Sequence, residues 1–258
     1  MKKIIFLHIP KTAGQSIHQS LIESYGHKNI CPARVNEQLV AMPIKELKSY
    51  NVFSGHLDWT KLDCTGEDIY RFTVLRDPTQ RILSFYFYLR EKALNSTAEE
   101  LLKPENTGLR AALDLTPDEY FTGGPPHLRN FLDDHYDNFY MHFFCGRNYR
   151  AHSENLSMIN RGLITYENIF DTASSNLELL DDIYLMSDIN RVFEKIHLLS
   201  GKSENNKTKT YRINTNDSSI PEDRLGKLKC MPSSSLAIEK IEEWTCWDRK
   251  LYNLIKQG

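Results

Sequence analysis

The 258 residues carry 32 Lys and Arg against 34 Asp and Glu, a formal net charge of −2, so no overall field draws a nucleic acid or an anionic membrane and any anion site has to be local. With 40% hydrophobic and 26% charged residues the composition suits one soluble α/β domain, long enough to bury a core without staples. No stretch approaches the roughly 20 apolar residues of a membrane span, and the five cysteines (Cys31, Cys64, Cys145, Cys230, Cys246) lack metal-like spacing, which reads as reduced thiols in a cytoplasmic chain.

The elements follow in chain order. Residues 4–9, nearly continuous in apolar side chains, predict a buried strand of a parallel sheet. Residues 14–25 predict a helix with Ile17, Leu21, Ile22 and Tyr25 on one face and Gly26 as its stop. "NVFSGH" (51–56) and "IYRFTVL" (69–75) predict two more strands. The second runs into "RDPTQRILSFYFYLREKAL", a helix with Asp77 as N-cap and Pro78 at its first position. Residues 93–125 are polar and predict an irregular or short-helical insertion, and the aromatic-rich stretch after it predicts helix. "DIYLMS" (182–187) predicts a strand leading into a helix over 189–199, "GLITYENI" is a further strand candidate, 200–224 reads as loop, and one amphipathic helix closes the chain. The alternation argues a parallel α/β sheet of four to five strands flanked by helices.

Two strand–helix corners are built for anions. In "HIPKTAGQS" a strand gives way at once to a helix start, which gathers unpaired N–H groups and the positive end of the dipole. Lys11 adds a mobile charge, Thr12 and Ser16 add hydroxyls, and Gly14 lets the backbone approach a ligand closely. The lysine precedes the only glycine, so this is not a Walker A loop. The competing reading is a surface lysine beside an ordinary helix. In "VLRDPTQRILSFYFY" Arg76 follows the strand and can fork onto a phosphate, with Ser84 about two turns into the helix. Its competing reading is Arg76 paired with a carboxylate. Two such corners on one sheet suggest a ligand with two separated anionic groups at the carboxyl edge of the strands.

"HIPKTAGQS" closely resembles the 5′-phosphosulfate loop of the sulfotransferases that use 3′-phosphoadenosine 5′-phosphosulfate (PAPS), in the spelling of the heparan sulfate 2-O and 6-O enzymes. "RDPTQRILSFYFY" is similar to their 3′-phosphate motif, with Arg76 and Ser84 at matching positions. Weaker likeness continues in "GHLDWTKL", "DDIYLMSDI", "NNKTK" and "WDRKLYNLI". Gln15 stands where threonine is common in that family. Golgi members carry a membrane anchor and stem that this sequence lacks, which points to a soluble, bacterial member.

The resemblance implies a P-loop-NTPase-like sulfotransferase fold over 1–258 as a single domain, with an acceptor-side insertion around 93–160. It implies a cosubstrate, PAPS, held by Lys11, Thr12, Ala13, Gly14, Gln15, Ser16, Arg76 and Ser84, with Lys207 and Thr208 (and Asn205) of "ENNKTK" closing over it; that charge run reads equally as a solvated loop. The expected reaction is sulfuryl transfer to a hydroxyl of a carbohydrate or glycoconjugate, with no metal required and no nucleic-acid partner. Lys11 stabilises the leaving phosphate. His56, at the end of the second strand, is the candidate general base, as the family's catalytic histidine before the second motif implies, against the usual fate of a lone histidine as a structural one. Asp58 and Asp63 are alternative carboxylates for orienting it, and His8 reads as structural or loop-orienting. The alternatives are a catalytically silent nucleotide- or carbohydrate-binding protein and a small-molecule kinase.

Overall fold

A computed structural model describes residues 2–66, 68–201 and 223–257; Asn205, Lys207 and Thr208 lie outside them. Its principal elements are β1 (Lys3–Leu7), α1 (Gly14–Tyr25), β2 (Val52–Gly55), β3 (Ile69–Leu75), α2 (Pro78–Leu94), α3 (Pro126–Tyr136), α4 (Phe139–Gly146), α5 (Ala151–Asn160), α6 (Tyr166–Leu177), β4 (Asp182–Leu185), α7 (Ile189–Ser200), α8 (Ser235–Glu243) and α9 (Cys246–Gln257). The chain divides into two compact units. The first takes the described residues of Met1–Arg76, Phe144–Ala151 and Asp171–Asp217; the second takes those of Asp77–Phe143, His152–Phe170 and Ser218–Gly258.

The first unit holds the four-stranded sheet, all parallel, in the order β2-β1-β3-β4. Alternate residues of its strands (Ile4 and Phe6, Tyr70, Phe72 and Val74) turn to one face and pack with Ile17, Leu21 and Tyr25 of α1 and Val192, Phe193 and Ile196 of α7. The period-2 arrangement of the strands meets the 3.6-residue stripe of each helix, and burial of these side chains is the main force holding the layer together. Gly26 ends α1 at φ 81°, a backbone region open to glycine. Because all four strands run the same way, the carboxyl ends of β2, β1 and β3 bring His56, the segment after Leu7, and Arg76 to one edge of the sheet.

The second unit is helical. Its core joins Ile82, Leu83, Tyr86 and Leu89 of α2 to Leu128, Leu132 and Tyr136 of α3 and to Ile241 and Trp244. At the head of α2, Asp77 accepts a hydrogen bond from the Gln80 N–H at 2.9 Å and Pro78 opens the first turn, as the sequence predicts. The polar stretch after α2 folds as short helices, including Thr107–Asp114 and Pro117–Thr122, the latter opened by a Thr116/Glu119 capping box.

Two expectations are corrected. "GLITYENI" is not a strand: Thr165 and Asn168 exchange side-chain and backbone hydrogen bonds (3.0 and 3.3 Å) and launch α6 instead. The closing helix is two helices, α8 and α9, interrupted between Glu243 and Cys246. Asn138 holds that break from outside: its N–H donates to the Trp244 carbonyl and its side-chain oxygen accepts from the N–H groups of Trp247 and Asp248. Among the described residues no helix is long and apolar enough to cross a membrane. Cys31, Cys145, Cys230 and Cys246 are free thiols.

Candidate active site

The site belongs to the first unit and is built at the edge where β2, β1 and β3 end. After Leu7 the chain passes through Lys11 at φ 72° and Ala13 at φ 62°, two non-glycine residues in the left-handed region. Each costs of order 1–2 kcal/mol and persists only where the surroundings over-determine it, which is common at ligand-binding turns. Ala13 occupies the N-cap of α1 and offers no side chain to cap it, so the helix presents its amino-terminal N–H groups and dipole end at this loop.

Thr12 is wholly buried, and its hydroxyl donates to the Ile9 carbonyl at 2.8 Å. Its hydrogen serves the loop's own shape rather than a bound anion. Gly14 has a different neighbour from the one the sequence suggests. A Cβ there would lie 1.7 Å from His8 Nε2, so the missing side chain makes room for an imidazole. Gln15 is exposed and Ser16 buried in the first turn of α1. Arg76 ends the first unit at the carboxyl end of β3, whereas Ser84 lies in α2 of the second unit and is buried there.

His56 directly follows β2 and is fixed from several sides. Its backbone N–H donates to the Arg34 carbonyl (2.8 Å), and its ring stacks on His8 with centroids 4.3 Å apart. Its Nδ1 donates to the His8 carbonyl at 3.0 Å. The Tyr149 hydroxyl donates to the same carbonyl and lies 3.2 Å from His56 Nδ1. A carbonyl can only accept, so this bond places the imidazole hydrogen on Nδ1 and the lone pair on Nε2.

Neither candidate carboxylate takes the role of holding Nδ1. Asp58 accepts from the Tyr149 N–H (3.0 Å) and from Asn36 Nδ2 (2.7 Å). Asp63 receives Arg147 Nη2 on both oxygens (3.2 and 2.9 Å), while the Arg147 guanidinium stacks 4.8 Å above Trp59. Both acids therefore fasten the segment that carries Tyr149 and act on His56 at one remove. Tyr149 is the residue that sequence reasoning missed: "GRNYR" has no periodicity or motif, and its partner is a main-chain oxygen 141 positions away.

His8 is buried, and its Nδ1 has no hydrogen-bond partner among the described residues. Burial first, then the basic groups around it (His56, Arg34, His18 and Lys11), hold it well below the usual histidine range, and it is neutral. His18 of α1 is pushed down to about 4 by burial and then by Arg34 and His27. The groups ranged along this edge are thus cationic or proton-accepting. Neighbouring basic groups, a helix start without a side-chain cap and a histidine of fixed tautomer together suit chemistry in which negative charge develops on one group while another gives up a proton.

No curated protein matches the chain. A family model described as the sulfotransferase family matches residues 1–180, well over half the sequence and all of β1–β3 with the loops at their carboxyl ends. An α/β unit with a four-stranded parallel sheet agrees with that match, and this chain belongs to the sulfotransferase family.

Proposed function

We propose that the protein transfers the sulfuryl group of 3′-phosphoadenosine 5′-phosphosulfate to a hydroxyl of a carbohydrate or glycoconjugate, with His56 as general base and Lys11 stabilising the leaving phosphate. Membership of the family implies a sulfate donor and an acceptor. The observation that carries the finer reading is the pairing at adjacent strand ends of a histidine with its Nδ1 hydrogen engaged and a lysine-bearing loop that opens onto a helix amino terminus.

In this reading the donor supplies an activated sulfuryl group. Lys11 and the first N–H groups of α1 act on the bridging oxygen where charge grows as its bond to sulfur breaks. His56 Nε2 takes the proton of the acceptor hydroxyl as the new oxygen–sulfur bond forms. The His8 carbonyl then faces the positive ring it has helped to create and stabilises it through the Nδ1 hydrogen. Arg76, at the same edge, is assigned to the donor's 3′-phosphate.

The test is binding followed by transfer. The desulfated product, 3′-phosphoadenosine 5′-phosphate (PAP), should raise the stability of the protein by about 2.7 kcal/mol at a hundred times its Kd, and ATP with Mg2+ should not match it. Labelled PAPS should then pass its sulfate to a member of a glycan panel. Preference for ATP with metal replaces this reading with a kinase, and nucleotide binding without transfer to any acceptor replaces it with a silent binding protein.

A further inference from the structure

Arg34 is not part of either anion corner, yet the fold holds it against the base. Its carbonyl receives the His56 N–H, its N–H donates to Gln38 Oε1 at 2.7 Å, and Val35 bridges to His56. Gly55 admits this backbone, because a Cβ there would lie 2.5 Å from the Arg34 oxygen. The side chain is directed with equal care. Nη1 donates to His18 Nδ1 and lies 3.5 Å from Ser54 Oγ, and His18 Nδ1 is itself 3.2 Å from that hydroxyl. A guanidinium only donates, so His18 accepts and is neutral.

Both of these partners are uncharged. Among the described residues no carboxylate forms an ion pair with Arg34, and its Nε and Nη2 make no hydrogen bond, yet they are not sealed from solvent. The buried His8 Nδ1 is likewise without a partner. A half-buried guanidinium loses part of its hydration, and a protein ordinarily answers that cost with a carboxylate. Here the half-buried guanidinium has two donor nitrogens left, Nε and Nη2, in the fork geometry that matches an oxyanion.

We propose that Arg34, oriented by His18 and Ser54 beside His56, is an oxyanion-binding residue of this active site and takes a sulfonate or carboxylate. The anion has two possible sources, the sulfonate of the donor or an acidic substituent of the acceptor. The inference rests on the sulfotransferase reading above and adds a residue to it.

The experiment compares wild type with Arg34→Gln by calorimetry, using PAP, PAPS, and inorganic sulfate added to the PAP-saturated protein. PAP should bind both proteins alike. Sulfate affinity should fall roughly tenfold or more in the variant, the scale of hydrogen bonds to a charged group. A matching loss for PAPS identifies the donor's sulfonate as the anion. Unchanged PAPS affinity identifies the acceptor, read as a raised KM for carboxylated over neutral glycosides. Equal sulfate and PAPS affinities in the two proteins overturn the proposal. Should Arg34→Gln not fold, wild type still decides. The His18 ring nitrogen resonances should move when sulfate redirects the guanidinium, and a spectrum that ignores sulfate removes Arg34 from the site. Failure of wild type to bind PAP is a separate result; it defeats the nucleotide assignment, while the His18 response to sulfate alone still reports on Arg34.

Discussion

The molecule carries two clusters of buried histidine, and the same side chain behaves oppositely in them. At the strand ends of the first unit, burial lowers His8 and His18, and the basic groups beside them add to that effect instead of opposing it. In the second unit, burial alone would lower His152. Hydrogen bonds from its two ring nitrogens to Asp134 (3.5 Å) and Asp137 (3.1 Å) outweigh that and raise it to about 9. Its charge in turn helps hold His142, itself lowered chiefly by burial, at about 4. Arg81 of the second unit is sealed in a different way from Arg34: it is wholly buried against the faces of Phe139 and Tyr140, its nitrogens make no hydrogen bond among the described residues, and Asp248 acts on it only as a charge at longer range. The buried charge of His152 is answered by carboxylates from within the chain, whereas the half-buried Arg34 has only uncharged partners among the described residues. Where a fold tolerates like charges without an internal counter-ion, the missing partner is a guide to function.

The largest test of this contrast is His56→Ala. It should lower kcat by roughly 10²- to 10⁴-fold, the range of a general base, with PAP affinity within twofold of wild type; full turnover would remove the base from the site. Next is Arg81→Met, which strips the scaffold of its compensating charge. Burial already pushes Asp248 up to about 7, against the pull of Arg81 and of the Tyr140 and Met141 N–H groups. With the guanidinium gone Asp248 keeps only its two backbone donors, so the variant should lose about 1 kcal/mol in urea unfolding, and adding Asp248→Asn should restore part of it. An undiminished midpoint would mean that the two charges are independent.

Smaller effects are expected from pH. His18 and His142 titrate near 4 in the fold and near 6.5 unfolded, so the unfolded chain binds protons first. Stability should therefore fall as pH drops from about 6.5 towards 4. His152 has the opposite sign. Its contribution is complete below about 6.5 and is lost as pH rises through about 9. Replacing Asp134 and Asp137 by Asn should flatten the alkaline limb, while the acid-limb contribution of His18 stays in place; thermal denaturation across pH resolves the two. The smallest change is Asp63→Asn at the exposed pair with Arg147. It should cost under about 1 kcal/mol, a Tm shift of roughly 4 °C or less. A larger fall would give that fastening more importance than its exposure suggests.

Much of the framework was legible because its signals are local. The boundaries of α1 and β3 follow from an apolar stripe, a terminal glycine and a run rich in β-branched and aromatic residues. Asp77–Pro78 marked the head of α2 in the same way. His56 and Lys11 could be placed because a parallel sheet sends its strand ends to one edge. The sequence could not show that Gly14 accommodates His8, that Thr12 turns inward, or that Tyr149 shares the acceptor of His56. The first two depend on the left-handed turn of the loop and the third on packing between positions far apart in the chain, and none leaves a period or motif behind. Arg34 was hidden for a related reason: a single arginine in "CPARVN" becomes notable only once its lack of a carboxylate is seen in three dimensions.

The oxygen that orients His56 comes from the main chain of residue 8 and not from any side chain. An aspartate or glutamate that anchors a histidine can be erased by one codon change; this anchor has no codon of its own. Substitutions at position 8 can change the ring stacked on His56 without deleting the support. Drift at that position can therefore vary the surroundings of the His56 imidazole while its direction stays constant.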